Sequence, residues 1–198
     1  MLEKLQKTDT ELDANTIATN ENKKRLFDAN NEYSSVKSKL EALRNITERY
    51  DGYGNSIKRV MEQKDNTPGI IGVVADIIHV DKKYETAIET ALGYAMQNIV
   101  TASEEDAKRA IYYLKNNNHG RATFLPITSI RSNPLHEKGV EDCIGFVGFG
   151  SSLVQYDEKY SEIIKYLLSR TVVSEDMDSA VAIAKKYSYK FKVVTLDG

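Results

Sequence analysis

The chain of 198 residues has no Trp, one Cys, three Pro and three His. A single thiol, Cys143, excludes a disulfide scaffold and a Cys-based zinc site, and it fits a reducing, cytosolic setting. His79, His119 and His136 are scattered, which leaves little material for a metal site or a His-based triad. No apolar run approaches the roughly 18 residues of a membrane span, and Met1-Leu2-Glu3-Lys4 opens no apolar signal region. Charge of one sign is also lacking. The formal net charge is -2, so nucleic-acid binding would be confined to a local basic patch. What is present is 41% apolar and 28% charged residues, enough to build a core in one domain or two small ones.

Glycine and proline are absent from residues 1–50. Every seventh residue from Leu5 gives Leu5, Leu12, Thr19, Leu26, Tyr33, Leu40 and Thr47. The line three residues further on gives Thr8, Asn15, Asn22, Ala29, Val36, Leu43 and Tyr50. This heptad pattern is strong over 26–43 and weak before it; the alternative is a lone amphipathic helix lying on the globular part, but the narrow stripe suits a coiled-coil seam better. Nine basic and nine acidic residues balance within the segment, as on a solvated helix surface. Asp51-Gly52-Tyr53-Gly54 should end the rod, because glycine supplies flexible backbone where a helix stops.

The remainder reads as a duplicated α/β unit. Ser56–Lys64 is an expected short helix, and Ile70–Val80 is a strand, or two strands around a bend at Asp76. A helix is expected from about Asp81 to Met96, then a strand at Asn98–Val100. A second helix, Glu104–Lys115, has Ser103 as N-cap and turns Ala107, Ala110, Ile111 and Leu114 inward. Arg121–Leu125 is the closing strand. Leu153–Tyr160 repeats Ile77–Tyr84, including the shared Asp-x-Lys-Tyr, at an offset that also carries Ile88 onto Ile164 and Leu92 onto Leu168. Val172-Val173 then stands for Ile99-Val100, and Lys192–Leu196 echoes Ala122–Leu125. Each unit is strand–helix–strand–helix–strand, so the fold class is α/β with mixed sheets and two related halves. The expected divisions are an arm helix at 1–50, a globular domain at 51–198, subdomains at about 55–130 and 146–198, and a loop-like linker at about 126–145.

Chemical motifs are sparse. Gly145-Phe146-Val147-Gly148-Phe149-Gly150 is the one glycine-dense run, and it raises an alternative: a coiled-coil-tethered α/β domain that binds a small ligand or catalyses a reaction. A dinucleotide loop would have to lie between a strand and a helix, whereas a strand is expected next here. No Gly-x-x-x-x-Gly-Lys-Ser/Thr occurs. Glu104-Glu105-Asp106 and Glu175-Asp176 stand at expected helix starts, where they complement the helix dipole. Lys58, Arg59 and Lys64 form a basic cluster beside the rod, either a phosphate contact or one face of a solvated helix.

Several motifs in order resemble a known family. After Gly52-Tyr53-Gly54 come Gly69-Ile70-Ile71-Gly72-Val73-Val74-Ala75-Asp76, Tyr84–Gly93, Gly120-Arg121-Ala122-Thr123-Phe124-Leu125-Pro126 and Val193–Gly198. This set resembles the hinge domain of bacterial SMC (structural maintenance of chromosomes) proteins, with part of the N-terminal coiled-coil arm. The resemblance implies a non-enzymatic dimerisation module of a condensin-type ATPase, cytoplasmic and nucleoid-associated, with two related subdomains. It implies a homodimer joined at glycine-bearing strand edges, and carries that role onto Gly72, Gly93, Gly120, Arg121 and Gly148. DNA contact is implied near the arm junction, on the ground occupied by Lys58, Arg59 and Lys64. No cofactor is expected in this segment; ATP, Mg and the accessory condensin subunits belong to the head domains. The family continues past the Leu-Asp-Gly ending into a second glycine-rich stretch and a returning arm. Ending at Gly198 therefore implies a fragment whose dimer contact and arm pairing are both incomplete.

Overall fold

In a computed structural model, residues 2–48 and 53–198 are described, and the chain divides into two compact units, 1–52 and 53–198. The first contains one continuous helix, α1 (Leu2–Glu48), about 70 Å long at 1.5 Å per residue. Leu12, Leu26, Tyr33, Val36 and Leu40 of the heptad lines stand exposed along it, as do Ile17 and Phe27 off those lines. The side chains of Leu5, Leu43 and Thr47, all of Tyr50, and the break at Asp51-Gly52 lie outside the described residues.

The second unit opens with α2 (Asn55–Met61) and a 3-10 turn at Lys64–Asn66. Ile70–Val80 resolves into two strands, β1 (Ile70–Val73) and β2 (Ile78–Val80), around a single helical turn, α3 (Val74–Ile77). Asp76 makes the bend, its carboxylate accepting the Val73 N–H at 3.0 Å. The helix expected over 81–96 is broken into three pieces. A 3-10 turn at Lys82–Tyr84 leads into α4 (Glu85–Leu92), and Gly93, at φ +50°, stops it before a second 3-10 segment, Gly93–Gln97. β3 (Ile99–Thr101), α5 (Glu104–Asn116) and β4 (Phe124–Pro126) complete the first half. β4 begins three residues later than the sequence suggested, because its parallel register sets Phe124, not Arg121, opposite Ile99.

The second half repeats this order with β5 (Phe146–Phe149), β6 (Val154–Tyr156), α6 (Ser161–Leu168), β7 (Thr171–Ser174), α7 (Met177–Lys186) and β8 (Lys192–Thr195). The two three-stranded sheets, β1-β3-β4 and β5-β7-β8, have the same antiparallel and parallel pairings. Each carries a bulge at the same place, between Ile70 and Gly72 and between Phe146 and Gly148. The repetition reaches single contacts. Ala102 N–H donates to the Gly69 carbonyl at 2.9 Å, and Glu175 N–H donates to the Gly145 carbonyl at 2.8 Å. A Cβ on Gly69 would meet Asp106, the third residue of α5, and one on Gly145 would meet Ser179, the third residue of α7.

A separate two-stranded sheet joins the halves: Ile78 pairs with Tyr156, His79 with Gln155 and Val80 with Val154. Val154 is the counterpart of Ile78, and Tyr156 of Val80. The pairing therefore maps onto itself when the halves exchange, and a local two-fold axis passes between His79 and Gln155. The main core is shared. Val74, Ile77, Ile88 and Leu92 of the first half pack with Val154, Ile163, Ile164, Leu168 and Val194 of the second. This continuity across the axis comes from the apolar spacing that repeats on α4 and α6. Residues 127–145 form neither helix nor strand, yet Val140 is fully buried against Val172, Ile183 and Phe191.

The starts of α5 and α7 are capped by side chains. Ser103 Oγ accepts the Asp106 N–H at 3.2 Å and donates to the Asp106 carboxylate at 2.6 Å. Asp176 accepts the Ser179 N–H at 2.8 Å, and this bond holds its carboxyl below the usual carboxylate range. The Ser132 N–H, followed by its hydroxyl, does the same for Glu162. Both groups have folded pKa values below their unfolded ones. Their contribution is present above the unfolded pKa, about 4, and is lost as pH falls through the folded value. Thermal unfolding followed between about pH 6 and 3 should therefore show falling stability below roughly pH 5. The Asp176→Asn, Glu162→Gln double variant, which keeps a capping side chain, should give a shallower profile; parallel profiles would refute this assignment.

Candidate functional site: a strand edge, a groove and a basic cluster

β4 pairs with β3 on one side and with no described strand on the other, so its outer backbone edge is open. Such an edge presents unpaired N–H and C=O groups to any second strand. Beside it lies a groove of about 460 Å³ lined by Ile111, Leu114, Lys115, Gly120, Arg121, Ala122 and Phe124. The expectation that α5 turns Ile111 inward is corrected here. Ile111 is 49% exposed and Tyr112 is 52% exposed, because the sheet covers only the Ala107, Ala110 and Leu114 side of the helix.

The turn that ends α5 positions the groove. His119 N–H donates to the Leu114 carbonyl at 3.0 Å and its ring packs on Tyr113, with centroids 5.6 Å apart. Gly120 then adopts φ +91°, a left-handed conformation that glycine takes without strain. Open space surrounds it apart from Ser56, 3.6 Å from where a Cβ would stand, so backbone conformation rather than crowding requires glycine there. Ser56 Oγ donates to the Arg121 carbonyl at 2.6 Å, which ties the turn to the start of α2 and leaves the Arg121 side chain exposed.

Of the five residues expected at a dimer contact, the groove brings together Gly120 and Arg121. Gly72 and Gly148 are buried in β1 and β5. A Cβ would stand 2.7 Å from the Asp76 carboxylate at position 72 and 2.8 Å from Leu153 Cδ2 at position 148. At both positions a side chain would crowd a neighbour of the same chain. Gly93 lies apart from the groove, at the end of α4.

Lys58 and Arg59 occupy the last turn of α2 and Lys64 the 3-10 turn after it. Arg59 pairs with Glu62 at 3.0 Å, and Asp65 follows Lys64, so acids interleave with the bases. A phosphate would have to compete with Glu62 for Arg59.

Gly145–Gly150 is not a phosphate cradle. Phe146–Phe149 is strand β5, and the next element is a 3-10 turn at Gly150–Ser152 followed by β6. The strand-to-helix order that a dinucleotide loop needs is missing, which removes the motif behind the ligand-binding or catalytic alternative. Among the described residues no group of three or more His, Cys, Asp or Glu side chains is placed to hold a metal ion. No described helix is long and apolar enough to cross a membrane.

Residues 67–184 match the family model described as SMC proteins Flexible Hinge Domain. The Chromosome partition protein Smc of Bacillus subtilis is 37% identical over 180 residues, covering 89% of this chain and 15% of that protein. The protein of the same name from Halothermothrix orenii is 41% identical over 163 residues, covering 81% of this chain and 14% of that one. The chain thus spans about a seventh of the length of these relatives. An asymmetric dimer of the Geobacillus stearothermophilus SMC hinge domain superposes with a TM-score of 0.77 at 41% identity, covering 87% of this chain and 72% of that one. The Pyrococcus furiosus SMC hinge domain gives 0.61 at 31% identity, covering 80% and 78%. A duplicated α/β unit with a long N-terminal helix, matched over most of its length by hinge sequences and hinge structures, belongs to the SMC hinge domain family.

Proposed function

We propose that this domain joins two protomers of a chromosome partition protein, and that association rather than catalysis is its activity. The observation that carries the reading is the open β4 edge beside the half-exposed Ile111 and the Gly120-Arg121 turn. An unpaired strand next to an apolar groove suits a second copy of the chain, which can satisfy backbone groups and bury side chains together. The dimeric state of the Geobacillus stearothermophilus hinge supports the same reading. In the parent protein, ATP with Mg and the accessory subunits would act at segments outside this one, and the working place would be the nucleoid. Equilibrium sedimentation tests the reading: a concentration-dependent dimer is expected, and a strict monomer at high micromolar concentration would overturn it.

DNA contact is a second proposed activity, motivated by Lys58, Arg59 and Lys64. Reversing all three charges should weaken binding of a short duplex and lower the slope of log K against log salt by up to about 3, since each lost phosphate contact removes roughly one released counterion. Unchanged affinity and slope would sink that assignment.

A further inference from the structure

The C-terminal end of α4 carries an aromatic notch that strand-edge association does not use. Gly93 leaves the helix at φ +50° with open space around it. The 3-10 segment that follows throws Tyr94 into solvent, where it is 92% exposed. Tyr53 shares the same hollow, about 420 Å³, which is completed by Glu89, Gly93, Met96 and Gln97. Burial and the nearby Asp76 charge both push the Tyr53 hydroxyl up from its ordinary pKa, so the phenol stays neutral. Among the described residues no Lys or Arg lines the notch. Lys192 reaches this end of α4, but its ammonium donates to the carbonyls of Ala91 at 2.8 Å and Thr90 at 3.2 Å.

We propose that this notch receives a single cationic side chain, arginine or lysine, presented by a protein partner. Two tyrosine rings offer electron-rich faces that attract a cation, the more so where it is desolvated. Met96 adds a polarizable thioether. Glu89 supplies a carboxylate at the same hollow, and Asp76 contributes negative charge behind Tyr53. An anionic ligand would be repelled by these two acids, and a purely apolar one would gain nothing from the Glu89 charge. A cation carried on an extended basic segment satisfies the rings and the acid together.

The experiment is an NMR titration of the whole chain with acetyl-Gly-Arg-Gly-amide, using acetyl-Gly-Gln-Gly-amide as control. The arginine peptide should shift the Met96 methyl and Gly93 amide signals saturably, with an affinity on the order of millimolar for one side chain. Tyr94→Ala and Glu89→Gln should each weaken binding by about threefold or more, equivalent to roughly 0.7 kcal/mol. An Ile111→Glu variant at the β4 groove should bind the peptide unchanged, which separates this site from the proposed dimer contact. Equal shifts from the glutamine peptide would overturn the proposal, as would shifts that never saturate. So would shifts that follow protein concentration alone, which would make the notch a contact between copies. Spermidine binding as tightly as the arginine peptide would overturn the assignment to a protein partner.

Discussion

Replacing Gly145 with alanine is expected to lower the melting temperature of the domain by about 10 °C, because a loss of roughly 3 kcal/mol or more has no cheap escape. A Cβ at 145 would stand 2.4 Å from Ser179 Cβ, an atom fixed by the backbone of α7 rather than by a rotatable torsion. Gly145 also sits at φ +74°, so the substitution adds backbone strain. Relief would require α7 to move off β7, which would disturb the contact of Ile183 with Val172. The equivalent change at Gly69 meets the carboxyl group of Asp106, a side chain that can rotate away at the cost of its bonds to Ser103 and Arg109. Gly69→Ala should therefore cost less, about 1–3 kcal/mol. Gly54→Ala, where nothing lies within 4 Å, is the control and should melt like the parent. Thermal unfolding by circular dichroism reads all three, and an unchanged melting point for Gly145→Ala would refute the packing argument.

The second large effect is expected at the β4 edge. Ile111→Glu should weaken self-association by about 10–100-fold, since a charge would have to be desolvated at the centre of the contact. Stability of the monomer should hold within roughly 0.5 kcal/mol, because Glu is a good helix former and the new carboxylate would face Lys115 four residues on. Ile144 is 91% exposed elsewhere on the surface, so Ile144→Glu serves as a matched control that leaves association intact. Sedimentation equilibrium of both variants decides the matter. Equal dimerisation by the two would place the contact away from the groove.

Much of the architecture was legible because the sequence repeats its apolar spacing. Ile88 and Ile164, and Leu92 and Leu168, share one offset and are all buried. The arm was legible from its lack of glycine and proline together with its heptads. The functional surface was harder to read. Ala107, Ala110, Ile111 and Leu114 form one broad apolar stripe, and only the width of the sheet beneath decides that Ile111 falls outside it. Gly72 and Gly148 were expected at an interface, and within the chain each also has a local neighbour, Asp76 or Leu153, brought close by a tight turn. The notch was invisible because it depends on a positive φ at Gly93 and on a pairing of Tyr53 with Tyr94 across intervening elements.

The β2–β6 pairing across the local two-fold has a consequence for biosynthesis. His79 and Gln155 lie 76 positions apart, and the apolar faces of α3 and α4 are completed by α6 and β6. At roughly 5–20 residues per second, the first half leaves the ribosome about 4–15 s before its strand partner exists. During that interval β2 is an unpaired strand and Val74, Ile77, Ile88 and Leu92 lack half of their core. The nascent first half is therefore the aggregation-exposed stage of this fold, and a chaperone that holds apolar segments would act on it rather than on the finished domain.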